Sequence, residues 1–412
     1  MHKASALNSE TQATRTTLLI IGITFVAFNL RPAITSVGPL ISSIRADTGM
    51  SNSVAGFITT LPLLVFAFLS PLAPRVSQKI GKEVTVLLSL IFLIIGLVIR
   101  SYGMVFTLFI GTAIIGLGVA FCNVILPSIV KQSFPAKVGL MTGMYTVSMG
   151  IMAGLAPGVS VPLAETLNMG WQGSLSVWSI LVIVALFVWL PQVKRKDSIH
   201  NGHISVNPSS SSMLTSSIAW QVTLFMGLQS LIYFCCITWL PEMLYSQGIS
   251  ATTAGWMVSL MQFSGIPANF IIPVLADRLT NQKSLVVGVG VLCISGLIGL
   301  LIGGNIILLT FSIMSVGMGT GAAISLALTL IGLRAANAEQ AANLSGMSQS
   351  IGYFLAALGP IALGFIYDRI HSWTLPFILL IIIGIIMTIA GYGAGRNQYV
   401  FQEKVNSNQV TL

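Results

Sequence analysis

The sequence predicts an all-α membrane protein of twelve transmembrane helices, built as two parallel six-helix repeats. Three observations carry that prediction. Of 412 residues, 55% are hydrophobic and 7% charged, against about 25% charged in a soluble domain. The apolar residues fall in runs of about 20, the length a helix needs to cross roughly 30 Å of hydrocarbon. Residues of the first half also recur in the second at a shift of 203, as Ala73 and Arg75 onto Ala276 and Arg278, Gly116 and Gly118 onto Gly319 and Gly321, and Gly143-Met144 onto Gly346-Met347. Six spans per half is an even number, so the repeats are parallel and a solute site is expected near the midplane between them.

In order along the chain, the spans lie near 17–40, 52–73, 84–101, 104–127, 139–163 and 172–191, then 217–241, 252–275, 284–302, 304–330, 341–366 and 373–395. These segments are apolar nearly all round, so length rather than periodicity identifies them. The residues before span 1 are polar and basic and lead into an apolar run too long for a signal h-region, so no cleaved peptide is expected. Residues 192–216 are polar, basic and Ser-rich, which reads as a flexible linker. The expected organisation is a six-helix half over 1–191, that linker, and a second half over 217–412. With the N-terminus inside, inner segments hold fifteen Lys and Arg, outer segments only Arg45, Arg100 and Arg369, and Arg31 stays within the membrane. The positive-inside rule then puts both termini and the linker in the cytoplasm.

Several classes drop out. The net charge of +9 is accounted for by topology and gives no reason to expect nucleic acid. Cys122, Cys235, Cys236 and Cys293 all lie in apolar runs and read as small buried hydrophobes. No Walker loop, H-E-x-x-H or paired C-x-x-C is present, so neither an enzyme nor a cofactor is expected. Gly317, Gly319 and Ala322 match a dinucleotide fingerprint formally, but inside an apolar span small residues serve close helix packing. His200 and His203 stand in the linker with no other ligand, which argues against a metal.

Arg31 is the leading candidate for chemistry. It is the only charged residue between Thr16 and Ile44, placed about mid-span where an intramembrane cation is functional by default. Pro32 follows directly, so the helix is expected to break there and free carbonyls beside a cavity. The functional reading is an anchor for an anionic or strongly electronegative solute; the structural one is an Arg bonded to neighbouring helices. Polar side chains able to complete a pocket are Asn29, Thr35, Gln229, Tyr233, Trp239, Gln262, Asn269, Gln349 and Tyr353. Gln229 with Tyr233, Gln349 with Tyr353, and Arg31 with Thr35 are each four apart and share a helix face. Any one of them could equally be an interhelical hydrogen bond.

Twelve spans in two parallel halves with a basic central loop resemble the major facilitator superfamily. The loop PVLADRLTNQK (273–283) is similar to that superfamily's cytoplasmic Asp-Arg signature, whereas the first copy, PLAPRVSQKIGK (71–82), has Pro74 where the pattern has Asp. Gly150, Gly154, Pro157 and Gly158 resemble a Gly/Pro motif of span 5. NLRPAITSVGPL (29–40), GLQSLIYFCCITWLPEML (227–244) and LSGMSQSIGYFLAALGP (344–360) together resemble the cyanate and nitroimidazole transporter family. The resemblance implies a monomeric secondary transporter that moves a small polar or anionic solute by alternating access, a coupled proton being left open. It also implies conformational roles for Arg75, Asp277, Arg278, Gly154 and Pro157, with any first-half latch weakened by Pro74 or using Glu83. A multidrug or nitroaromatic efflux pump is the alternative; it would show an acidic residue in the cavity, and no Asp or Glu falls mid-span.

Overall fold

The computed structural model describes residues 16–50, 52–193, 213–249 and 251–401. The expected linker thus lies mostly outside the described residues, as do His200, His203 and both chain ends. Among those described, eleven helices are long and apolar enough to cross a membrane. Span 2 is the twelfth, broken by 60° between Phe57–Leu69 and Leu72–Ile80, where Pro71 closes the first piece and caps the second. Apolar side chains such as Phe68, Phe106, Phe187 and Ile361 remain exposed, as helices bathed in lipid require.

Three expectations need correction. Helices overrun the apolar segments that mark them: span 7 is Ser217–Ser246 and span 11 is Ala338–Ile370. Backbone bonding continues into polar residues, and Pro241 is accommodated inside the helix, so Trp239 stands seven residues from the end at Ser246. The single shift of 203 also fails in part. Span 3 (Lys82–Arg100) and span 4 (Val105–Ser133) recur as Lys283–Ile302 and Ile306–Arg334, a shift of 201 at their starts. The packing agrees, since Gly116 of span 4 sits on Val65 of span 2 as Gly317 of span 10 sits on Met261 and Ser264 of span 8. The third concerns Arg100: an outer-loop cation by sequence, it is fully buried.

Within the second half, span 7 packs on spans 11 and 12, and span 10 on spans 8 and 9; in the first, span 4 packs on spans 2 and 3. The halves meet chiefly where span 5 (Val138–Val161) runs along span 8 (Ala251–Arg278) and where span 2 runs along span 11. They come closest at the end of the bundle where the first and last helices and the linker ends also lie. There a Cβ placed on Gly139 would stand 2.0 Å from the Pro273 carbonyl oxygen. Across the same junctions Ser128 Oγ donates to the Ala338 carbonyl (2.7 Å), Gln349 Nε2 to that of Asn123 (2.9 Å), Thr146 Oγ1 to that of Asn269 (2.9 Å), and Ser350 Oγ to that of Ala67. Gly154 of span 5 still touches Phe263, but Gly158, one turn on, has nothing within 4 Å of its Cβ position. The linker end is shut.

Candidate solute site between the halves

The site begins with the break in span 1. The helix runs over 16–28, turns through 29–31 and resumes at Pro32. Proline has no N–H to leave unpaired, so it opens the second piece at no cost in hydrogen bonds. Ile34 and Thr35 N–H both reach back to the Arg31 carbonyl at 3.0 Å. This short turn ends at Thr35.

Arg31 thereby projects from a break. Its guanidinium carbon lies 5.8 Å from the centroid of the Tyr233 ring across the junction, within the roughly 6 Å reach of a cation–π contact. Among the described residues the guanidinium forms no hydrogen bond or ion pair. It lines a cavity between the halves that offers about 60 Å³ for the centres of water-sized spheres. One water needs about 10–15 Å³ on that measure, so the space suits a solute of a few heavy atoms. The other polar walls are neutral, among them Thr146 from the first half and Gln229, Tyr233, Gln262, Asn269 and Tyr353 from the second. No carboxylate is among the lining residues.

These walls are partly wired together. Gln262 Nε2 donates to the Tyr233 hydroxyl at 3.0 Å, which leaves that hydroxyl's proton free for a solute. Gln229 Nε2 donates to Ser230 Oγ at 2.6 Å, and the Tyr353 ring stands edge-on to Phe66 at 4.8 Å. Asn269 Oδ1 is buried without a partner, an acceptor awaiting a donor in the cavity.

The structure brings together Arg31, Gln229, Tyr233, Gln262, Asn269 and Tyr353 from the sequence candidates, and leaves four apart. Asn29 is buried and donates to the Phe25 carbonyl (2.7 Å) and the Leu181 carbonyl (3.4 Å), tying span 1 to span 6. Thr35 lies past the break, and its hydroxyl turns back to the Arg31 carbonyl at 3.2 Å. Trp239 Nε1 donates to the Pro360 carbonyl at 2.8 Å, against Trp373. Gln349 faces the first half instead of the cavity. Helical spacing shows that two residues share a face but not what that face meets.

Of the conformational candidates, Asp277 faces the Gly139 backbone amide and Lys131 across the junction. Arg278 is exposed, and Arg75 is exposed beside Pro74 and Ser350. Gly154 lets Phe263 approach, and Pro157 sits inside the span 5 helix, half-buried. Glu83 serves through its backbone, accepting from Trp189 Nε1 at 2.9 Å; at this corner Gln78 Nε2 crosses to Glu339 at 3.2 Å.

Sequence reasoning missed Arg100. Its Nη1 donates to the Ala33 carbonyl at 2.5 Å, a group the break in span 1 leaves without a helical donor, and its Nε and Nη2 have no partner. A buried guanidinium thus holds the backbone two residues beyond Arg31. Its place at the end of an apolar run disguised it as a loop charge.

A closed junction at one end, a single charged wall and a cavity between two six-helix halves describe a membrane carrier. A model of the Major Facilitator Superfamily matches residues 18–357 and 228–398, and the chain belongs to that superfamily, whose members are transporters and not enzymes. It is similar to an uncharacterized transporter, YycB, of Bacillus subtilis (strain 168), 53% identical over 95% of this chain and 96% of the relative. It is 39% identical to a 2-nitroimidazole transporter of Escherichia coli (strain K12), over 93% and 96% of the two chains. A cyanate transport protein of the same organism is 27% identical over 83% and 88%. The fold matches that of a proton:xylose symporter at a TM-score of 0.76 and 14% identity, covering 94% and 98% of the chains.

Proposed function

We propose that this chain carries a small polar or anionic solute across the cytoplasmic membrane, its halves 1–191 and 217–412 rocking about one site to expose it to each side in turn. The observation that carries this reading is Arg31, a cation without a fixed partner that faces Tyr233 inside the cavity. A guanidinium held within the membrane span needs a counter-group, and the simplest one is the solute, held by a charge-assisted hydrogen bond. The relatives' names support the size and chemistry, since cyanate and 2-nitroimidazole are compact and rich in hydrogen-bond acceptors. The positive-inside count supports a cytoplasmic linker and termini, and with them a shut end on the cytoplasmic side.

Purified Arg31 variants test the reading. Arg31→Ala should bind neither cyanate nor 2-nitroimidazole while melting close to the wild type, and Arg31→Lys should bind weakly because a point ammonium lacks the planar fork. Wild-type affinity in a stable Arg31→Ala protein would sink it. A lipophilic efflux substrate, the second reading suggested by the nitroimidazole relative, would instead keep much of its affinity in Arg31→Ala.

A further inference from the structure

Resting on that reading, we propose that this carrier exchanges one small anion for another far faster than it moves an anion singly. The juxtaposition behind it is one guanidinium, Arg31, against walls of neutral amides, hydroxyls and aromatic rings. The sequence supplies no alternative counter-charge, because acids in or beside the spans fall toward helix ends, at Asp47, Glu83, Glu165, Glu242, Asp277, Glu339 and Asp368. Asp277 is already engaged at Gly139 and Lys131, and Asp47 accepts from Trp171 Nε1 at 2.9 Å and Gln172 Nε2 at 3.0 Å.

To pass from one side to the other, the site must close at both ends for a moment. Closure strips bulk water from around Arg31 and lowers the local dielectric. With an anion bound, the two charges cancel and the enclosed pair is neutral. Without one, closure encloses an uncompensated cation, which is strongly disfavoured. The Tyr233 face softens this penalty only in part. The loaded carrier therefore reorients readily, and the empty one is slow to return. Charge movement follows from the same count. The loaded site crosses as a neutral unit, whereas the empty site carries one positive charge through the membrane field. Exchange is then indifferent to membrane potential. Net movement is not, and an inside-negative potential favours net exit of anion over net entry.

Proteoliposomes loaded with the full-length protein separate the cases, using radiolabelled cyanate as the probe. Influx is measured with and without unlabelled cyanate on the opposite side, at potentials clamped by a potassium gradient and valinomycin. Opposite-side cyanate should accelerate influx by at least about tenfold, with exchange unchanged and net flux altered when the potential is reversed. Equal rates with and without opposite-side cyanate would overturn the proposal, and so would exchange that follows the potential. Cyanate that neither binds nor moves would defeat it together with the anion reading. If cyanate binding depends on Arg31 but net flux matches exchange, only the exchange inference falls.

Discussion

The two junctions that shut the linker end use the same positions differently. At one, Asp277 of span 8 meets Gly139, the second residue of the span 5 helix. At the other, Pro74 of span 2 meets Gly346, well inside a span 11 helix that starts at Ala338. The first four N–H groups of a helix lack an internal acceptor, so a carboxylate facing Gly139 finds a free donor and the positive end of the helix dipole. Opposite Gly346 every amide is already bonded within the helix. A carboxylate there would be stranded, and a proline, with neither donor nor charge, fits. The missing Asp in the first signature thus reflects a contact slid along span 11, and Gln78 supplies the polar crossing one turn further on.

Four substitutions would break or sharpen this contrast. The largest effect should come from Gly139→Ala. Its Cβ would overlap the Pro273 oxygen at 2.0 Å, and overpacking of backbone on backbone costs about 1–3 kcal/mol. The closed linker end should open, seen as greater reactivity of single cysteines placed there and less at the far mouth. Next comes Asp277→Asn, which removes the charge from the helix terminus and should shift the same labelling by about 1 kcal/mol. Unchanged labelling would leave Asp277 no part in the latch. Pro74→Asp should be smaller in that assay: no added protection of the linker end, and a melting temperature lowered by the buried, unpaired carboxylate. Stronger protection would show that a free donor exists after all. Gly346→Ala should do least, under about 1 kcal/mol, because its Cβ would find Pro74 Cγ at 3.1 Å and the Ser70 oxygen at 3.3 Å. A large effect there would erase the difference between the junctions.

The fold was legible because hydrocarbon thickness dictates helix length and because both halves repeat. The site was legible where chemistry is expensive. An Arg in mid-span followed by Pro announces a break and a cavity, and both are present. Neutral polar residues announce much less, since Gln349 and Gln229 look alike in sequence, yet one bonds across the junction and the other lines the cavity. Small walls such as Thr146 and Ala153 carry no signal of their own. Arg100 was hidden by its position, four residues before the next span, where a buried clamp and a loop charge read the same.

The hydrogen bonds from Ser128, Thr146, Gln349 and Ser350 share a property that reaches beyond mechanics. Each ends on a main-chain carbonyl of the other half, an acceptor that every amino acid offers. At these four contacts the receiving half can then drift in sequence without losing the bond, and co-evolving residue pairs should be scarce there. Chimeras that join one half of this chain to the complementary half of a diverged relative should, for the same reason, still close.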